Sequence, residues 1–328
     1  MKHPLVSIII PTYNRAYLLE KSLRSVLIQS YEHIEVIVVD DCSSDNTTEV
    51  VKSLGGEDRR IKLVRNKMRF GLPKSRNIGL LYARGDLVFF SEDDLILSRD
   101  AIEVLVNTYL KLSRKLRIGA ISPRIVLLSK SRSYMQLYEC KCIIGLLNAL
   151  TGEPCYCYNI TSNRVIPAQH LPATSLIPKR VFGDIGTYYT GYKLNYVREE
   201  SDLYLRMLKK GYVLMYQPRA IAFHVTGFRG GCTVENIFMN ILADIHNQLI
   251  YLIRGYGIKA VYMVMAYILK KLLKLKYLTN PKRASEVLTI VEKIGYRRAL
   301  NEILNKIDNI LRSTNILYCR HANTIRGT

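Results

Sequence analysis

Four short apolar runs separated by helical patterns constrain this chain more than any other feature. Leu5–Ile10 is broken by Pro11-Thr12-Tyr13-Asn14-Arg15, Ile34–Val39 ends in Asp40-Asp41, Ile61–Val64 follows, and Leu87–Leu95 reads LVFFSEDDL. Runs of this length and continuity fit parallel strands covered on both faces. Between them, Leu18, Leu19, Leu23, Val26 and Leu27 share one helical face. Asn46 and Glu49 form a helix-capping pair ahead of Val50, Val51 and Leu54. Gly71 and Pro73 open a third helix that carries Ile78 and Leu81 and stops at Gly85. A fourth is expected from about Ser98, with Ile102, Leu105, Val106 and Tyr109 inward. Strands alternating with helices predict an α/β fold with a mostly parallel, doubly wound sheet.

Right-handed crossovers make consecutive parallel strands point the same way, so their C-terminal loops share one crevice. Pro11–Arg15, Asp40-Asp41 and Glu92-Asp93-Asp94 therefore converge, although some eighty residues separate the first from the last. Three adjacent carboxylates repel one another unless a cation compensates, and oxygen-only ligands favour Mg²⁺ or Mn²⁺. The competing reading is a solvated acidic turn with Ser98 capping the next helix. Carboxylates beside Arg15, Arg76 and Asn77 suit a base, a ribose and a metal-bound diphosphate. No G-x-G-x-x-G follows the first strand and no G-x-x-x-x-G-K-[ST] occurs, which disfavours dinucleotide and P-loop folds.

At 328 residues the chain can bury a full core and carry an appendage. Its formal charge of +21 points to an acidic partner without choosing among nucleic acid, membrane and phosphorylated substrates. The short apolar start before Pro11 does not read as a secretory signal. Cys140-x-Cys142 and Cys155-x-Cys157 read as a structural zinc site, a disulfide-pinned hairpin, or four small hydrophobes in an insertion.

From Arg117 to about Tyr158 the pattern weakens. It returns at Ala173–Arg180 and at Arg198-Glu199-Glu200-Ser201-Asp202-Leu203, where Leu203 and Met207 share a helical face that Gly211 closes. Asp202 suits the helix dipole, but Glu199 and Glu200 cannot both cap. Val213–Tyr216 and Ala220–Val225 read as two strands, with His224 near the end of the second and Gly227, Gly230 and Gly231 just beyond, as a mobile loop requires.

In order and spacing, Pro11-Thr12-Tyr13-Asn14-Arg15, Val38-Val39-Asp40-Asp41-x-Ser43-x-Asp45, Ser75-Arg76-Asn77-x-Gly79, the acidic triplet and Glu199-Glu200-x-Asp202-Leu203 resemble the family 2 inverting nucleotide-sugar glycosyltransferases of GT-A fold. The resemblance covers about Leu5 to Gly231. It implies that Pro11, Thr12, Asn14, Arg15, Asp41, Arg76, Asn77, Glu92 and Asp93 form the nucleotide pocket, with Asp41 accepting from uracil or guanine. It implies Asp94, Glu92 and His224 as metal ligands for Mg²⁺ or Mn²⁺, Glu200 as the general base, and Glu199 and Asp202 on the acceptor side. Two departures stand out: Glu92 replaces an aspartate, and Cys42 replaces a glycine after the paired aspartates.

The implied reaction moves a sugar from a UDP- or GDP-type donor to a glycan or lipid-linked acceptor by one displacement. The implied division is a catalytic domain over 1–232 and a helical region over 233–328. In the latter, Ile237, Ile241, Leu242, Ile245, Leu249 and Leu252 recur near a 3.6 period. Ala260–Leu269, ahead of Lys270–Lys276, reads either as a core helix or as a basic interfacial helix on an anionic membrane. The expected location is the cytoplasm, and the second reading would make the chain peripheral on the membrane's inner face. A sugar nucleotidyltransferase, a silent glycan binder and a basic nucleic-acid-binding protein are the competing classes. The acidic crevice speaks against the last, and no nucleic-acid partner is expected.

Overall fold

The computed structural model describes residues 3–128, 144–226, 231–232, 237–257 and 260–268. The first four runs form β1 (Val6–Thr12), β2 (Ile34–Asp40), β3 (Ile61–Arg65) and β4 (Leu87–Phe90). They pair in parallel in the order β3-β2-β1-β4, with Ile8 opposite Val36 and Phe89. Helices α1 (Ala16–Leu27), α2 (Thr47–Glu57) and α3 (Leu72–Tyr82) make the crossovers.

Alternation along each strand feeds two separate cores. Ile8, Ile10, Val36, Val38 and Phe89 pack with Leu19, Leu23, Val51 and Leu54 on one face, whereas Ile9, Ile37, Val39, Val88 and Phe90 pack with Leu80 on the other. Both faces are apolar because both are covered, and each fully buried Phe or Ile contributes about 1.5–3 kcal/mol relative to exposure. On the second face α3 lies very close to β1. A Cβ on Gly79 would sit 2.4 Å from Ile9 Cγ2, so the glycine of the Ser75–Gly79 motif is a packing requirement.

Beyond β4 the sheet becomes mixed. The short strand β5 (Leu95–Leu97) precedes α4 (Ala101–Leu112), whose N-cap is Asp100. The helix expected from Ser98 thus starts later, because the residues after the acidic turn are drawn into the sheet. Then come β6 (Ile118–Leu128), β7 (Ile166–Ala168), β8 (Ser175–Pro178), the short α5 (Val181–Ile185), α6 (Glu199–Lys209) and β9 (Val213–Val225). The full order is β3-β2-β1-β4-β8-β6-β9-β5, with β7 also on β9.

The two strands expected over 213–225 are one. Pairing with β6 runs to Pro123↔Gln217 and resumes at Arg124↔Ile221, bulging past Pro218, whose missing N–H breaks the ladder without turning the chain. Between β6 and β7, Cys155 and Cys157 each take part in a disulfide, though not with one another, since their Sγ atoms lie 3.4 Å apart, while Cys140 and Cys142 lie outside the described residues. The four-cysteine zinc reading therefore does not hold for that second pair.

The chain divides into two compact units: 1–148, 153–190 and 199–233 make the first, and 149–152, 191–198 and 234–328 the second. Helix α7 (Ile237–Tyr256) dominates the second. The repeat read from sequence predicts an apolar stripe, yet α7 also buries His246, Asn247 and Gln248 beside Leu249 and Leu252. The segment 191–198 supplies their partners. Asn247 bonds both the N–H and the carbonyl of Lys193 at 2.9 Å, and Arg198 donates to Gln248. Leu194, Tyr196 and Arg198 there have positive φ, so side-chain bonds hold a backbone with little intrinsic preference for that path. Residues 260–268 are helical; 269–276, with the Lys270–Lys276 tract, lie outside the described residues. Among described residues no helix is long and apolar enough to cross a membrane.

Candidate active site

The C-terminal ends of β1, β2 and β4 bring the predicted groups together where the strand order reverses, the position at which open α/β sheets bind ligands. Asn14 turns the chain after β1 with φ 52°, a left-handed conformation that asparagine tolerates. Its backbone N–H donates to Ser43 Oγ at 3.0 Å and its Oδ1 accepts from Ser44 N–H at 2.7 Å, which locks the β1 and β2 loops together. Asp45 caps α1 by accepting from Ala16 N–H at 3.0 Å. Cys42 keeps the glycine-like turn at φ 68°, so the sequence departure is absorbed as backbone strain.

Asp41 is buried, and its carboxylate already accepts from Asn66 Nδ2, Phe70 N–H and Gly71 N–H at 2.7–2.8 Å. With about four lone-pair sites on a carboxylate, little remains for a base. Asp41 shapes the loop that enters α3. Asn77 is likewise committed: its amide exchanges two hydrogen bonds with the backbone of Tyr188, at 2.8 and 2.9 Å. Above this loop, the Arg69 guanidinium lies 4.0 Å over the Tyr13 ring and donates to the Gly231 carbonyl at 3.1 Å. The rest of the expected glycine loop lies outside the described residues.

The acidic triplet follows β4. Asp93 accepts from Thr12 Oγ1 at 2.8 Å and from Arg15 at 3.0 Å; Asp94 accepts from the same Arg15 nitrogen at 2.7 Å. Burial, followed by the adjacent Asp94 charge, pushes Asp93 up to about 7 despite Arg15. Burial acts the same way on Asp94, but His224 and Arg15 hold it below the usual carboxylate range. Burial alone would lower His224, yet Asp94 raises it.

The β5–β9 register explains that partnership. Leu95 faces His224, and Val225 N–H donates to the Asp94 carbonyl at 2.9 Å, which sets His224 Nε2 3.4 Å from Asp94 Oδ2. Glu92, Asp94 and His224 place one ligand atom each within 4.8 Å of one another. Two carboxylates and an imidazole, beside a third carboxylate that resists ionising, form a donor set that fits a divalent cation.

Arg76 joins this cluster to α6. It is fully buried, donates from one terminal nitrogen to Glu92 at 3.3 Å and from the other to Glu199, and stacks 5.3 Å from the Tyr188 ring. Glu199 is therefore not on the acceptor side: it is 2% exposed and paired with a buried guanidinium. Asp202 does not face an acceptor either. It pairs with Arg206 at 2.9 Å, one turn along α6, and Arg206 in turn donates to the carbonyls of Ile185 and Thr187. Glu200 alone of the three is left partly open, its side chain 13% exposed. Sequence reasoning missed Tyr188, which packs Arg76, and His170, whose Nε2 lies 3.8 Å from Glu200 Oε1. No local pattern marks either residue.

Residues 7–151 match the sequence model described as glycosyl transferase family 2. Over 105 residues the chain is 41% identical to the GalNAc(5)-diNAcBac-PP-undecaprenol beta-1,3-glucosyltransferase of Campylobacter jejuni, covering 32% of this chain and 34% of that enzyme. Over 107 residues it is 41% identical to the UDP-Glc:alpha-D-GlcNAc-diphosphoundecaprenol beta-1,3-glucosyltransferase of Escherichia coli, covering 33% and 42%. The matched stretch is thus less than half the length of these curated relatives. Among solved structures, the mannosyltransferase PcManGT of Pyrobaculum calidifontis, in complex with GDP-Man and Mn²⁺, aligns with TM-score 0.54 and 18% identity over 94% of this chain and 81% of that one. S. aureus TarS 1-349 in complex with UDP-GlcNAc aligns with TM-score 0.55 and 15% identity over 79% and 70%. At these identities the structures establish the fold, which is that of the GT-A glycosyltransferases.

Proposed function

We propose, from the match of residues 7–151 to glycosyl transferase family 2, that the chain belongs to that family and is a metal-dependent, inverting transferase. It moves a sugar from a nucleoside-diphosphate donor to a hydroxyl of a lipid-linked glycan. The observation that carries the reading is Arg76, which contacts Glu92 of the metal trio and Glu199, the immediate neighbour of Glu200. One buried side chain thereby fixes a cation site and a partly open carboxylate at the edge of the same crevice.

In this reading Glu200 accepts the proton of the acceptor hydroxyl, whose oxygen attacks the anomeric carbon while the C–O bond to the diphosphate breaks on the opposite face. One displacement inverts the centre. A positioned base supplies about 10²–10⁴-fold. Glu92, Asp94 and His224 would hold the cation, which when bound neutralises charge on the departing diphosphate. An imidazole among the ligands favours Mn²⁺ over Mg²⁺, which prefers oxygen alone. Asp93, Arg15 and Thr12 line the donor side, while Asp41 and Asn77 act by fixing the pocket walls.

The names of the Campylobacter jejuni and Escherichia coli relatives, with their undecaprenol-linked diphosphates, support a lipid-linked acceptor, and the Escherichia coli name supports a UDP-type donor. Such an acceptor would bring the chain to an anionic membrane surface. The excess of 48 Lys and Arg over 27 Asp and Glu, and the exposed Ile253, Tyr262 and Met265 of the second unit, suit that contact. Co-sedimentation with anionic but not neutral vesicles tests it.

The test of the central reading is a thermal-shift panel of UDP, GDP, CDP and dTDP, each with Mn²⁺ or chelator. A ligand at a hundred times its Kd stabilises by about 2.7 kcal/mol. One diphosphate should raise Tm only with metal, and Asp94→Ala should lose that response. No response from any of the four at millimolar concentration sinks the reading.

A further inference from the structure

One buried titratable group has no role in the reaction just described. His170, between β7 and β8, is 1% exposed, and both ring nitrogens are engaged. Nδ1 bonds the Tyr158 hydroxyl, and Nε2 lies 2.7 Å from Ser201 Oγ. The ring stacks on Tyr158 with centroids 6.2 Å apart and meets the edge of Tyr204 at 5.4 Å. Tyr204 is itself fixed by hydrogen bonds to Ser175 Oγ and the Pro172 carbonyl, both at 2.7 Å. The imidazole is therefore held by one stacked ring, one edge-on ring and bonds at both nitrogens. Its Nε2 points at the first turn of α6, where Ser201 follows Glu200 and Glu200 Oε1 is 3.8 Å away.

We infer that His170 is a positioning residue for Glu200, which rests on the reading of Glu200 as the base. When the Tyr158 hydroxyl donates to Nδ1, the proton of the neutral ring sits on Nε2. That N–H donates to Ser201 Oγ and turns its positive end toward the Glu200 carboxylate. The bond to Ser201 fixes the backbone that carries Glu200; the N–H dipole selects the carboxylate orientation. His170 takes no proton from the acceptor. A base must be held at hydrogen-bond distance from the proton that it accepts, and a misplacement of about 1 Å can cost some 10²-fold. A purely structural histidine would need the Tyr158 and Ser201 bonds but not the approach to Glu200.

The test compares His170→Leu, His170→Gln and Tyr158→Phe, alone and in a Glu200→Gln background. Turnover is followed as nucleoside-diphosphate release from the sugar nucleotide whose diphosphate the thermal-shift panel selects, with water as the acceptor. The expectation for His170→Leu is a kcat fall of about 10–100-fold with donor affinity within twofold of wild type. His170→Gln, which retains a donor, should recover part of it, and Tyr158→Phe should lower kcat severalfold. None should lower kcat further once Glu200 is glutamine, because groups acting as a unit are not additive. Independently of turnover, the ¹⁵N resonances of the His170 ring should show the Nε2–H tautomer and move on Glu200→Gln. Unchanged kcat in His170→Leu beside an inactive Glu200→Gln overturns this inference and leaves the base reading standing. Should His170→Leu fail to fold, unchanged kcat in Tyr158→Phe, or ring resonances blind to Glu200→Gln, overturns it equally. Full turnover in Glu200→Gln removes the base reading and this inference with it.

Discussion

Two acidic runs of similar composition, Glu92-Asp93-Asp94 and Glu199-Glu200-x-Asp202, behave in opposite ways. In the first, Asp93 and Asp94 share one guanidinium, that of Arg15, and Asp93 is pushed up to about 7. In the second, Asp202 pairs with Arg206, Glu199 pairs with Arg76, which also reaches Glu92, and Glu200 has a partly exposed side chain. One guanidinium shared by two carboxylates fits a place that could receive a cation; closer pairing fits scaffolding around one carboxylate. Neighbours, not residue types, separate the two.

Four substitutions or titrations break or sharpen that contrast. The largest effect is expected from Asp94→Ala, which should cut turnover by about 10³-fold or more, since Lewis-acid stabilisation is worth several kcal/mol, and should abolish the Mn²⁺-dependent rise in Tm. Glu200→Gln should cost about 10²–10⁴-fold in kcat with nucleotide-dependent stabilisation intact, read by kinetics and thermal shift together. Arg76→Met should act through stability: it strands Glu199 in the interior and should cost about 3–5 kcal/mol by chemical denaturation. The double variant Arg76→Met/Glu199→Gln should recover most of that loss. If Arg76→Met is harmless, Glu199 is not held as described.

The smallest effect is a pH dependence. Burial and Asp94 raise Asp93 to about 7 in the folded protein, above its ordinary value of 3.8, so the native state keeps a proton that the unfolded chain releases. The stability linked to this proton is fully present below about pH 4 and is lost as pH rises through about 7. Metal-free protein should therefore lose stability between about pH 4 and about 7, and Asp93→Asn should flatten that slope. Denaturation curves with chelator at several pH values supply the comparison.

The crossover half of the fold was legible because β1, β2 and β4 are buried on both faces, so burial alone explains their continuous apolar runs. Strand β5 was not, since three residues after an acidic turn carry no period, and β9 was split on paper at Pro218, which the sheet tolerates as a bulge. The converging loops of the site could be read from topology. The duties of Glu199 and Asn77 could not: their partners, Arg76 and Tyr188, lie 123 and 111 residues away and follow no spacing rule. In α7 the 3.6 period was visible, but Asn247 and Gln248 share the buried side, because Lys193 and Arg198 of the segment 191–198 offer polar groups that no local pattern announces.

The pairing of Leu95 with His224 also has a consequence for biosynthesis. Among the described strands β5 lies at the sheet edge, held by β9 alone, so while the chain emerges from the ribosome the end of the acidic turn has no ladder to join until residue 225 has been made. The cation trio is thus completed across a sequence gap that makes its closure a late, slow contact. A chain that ends before residue 224 therefore lacks the third member of the trio, although it already possesses β1, β2 and β4.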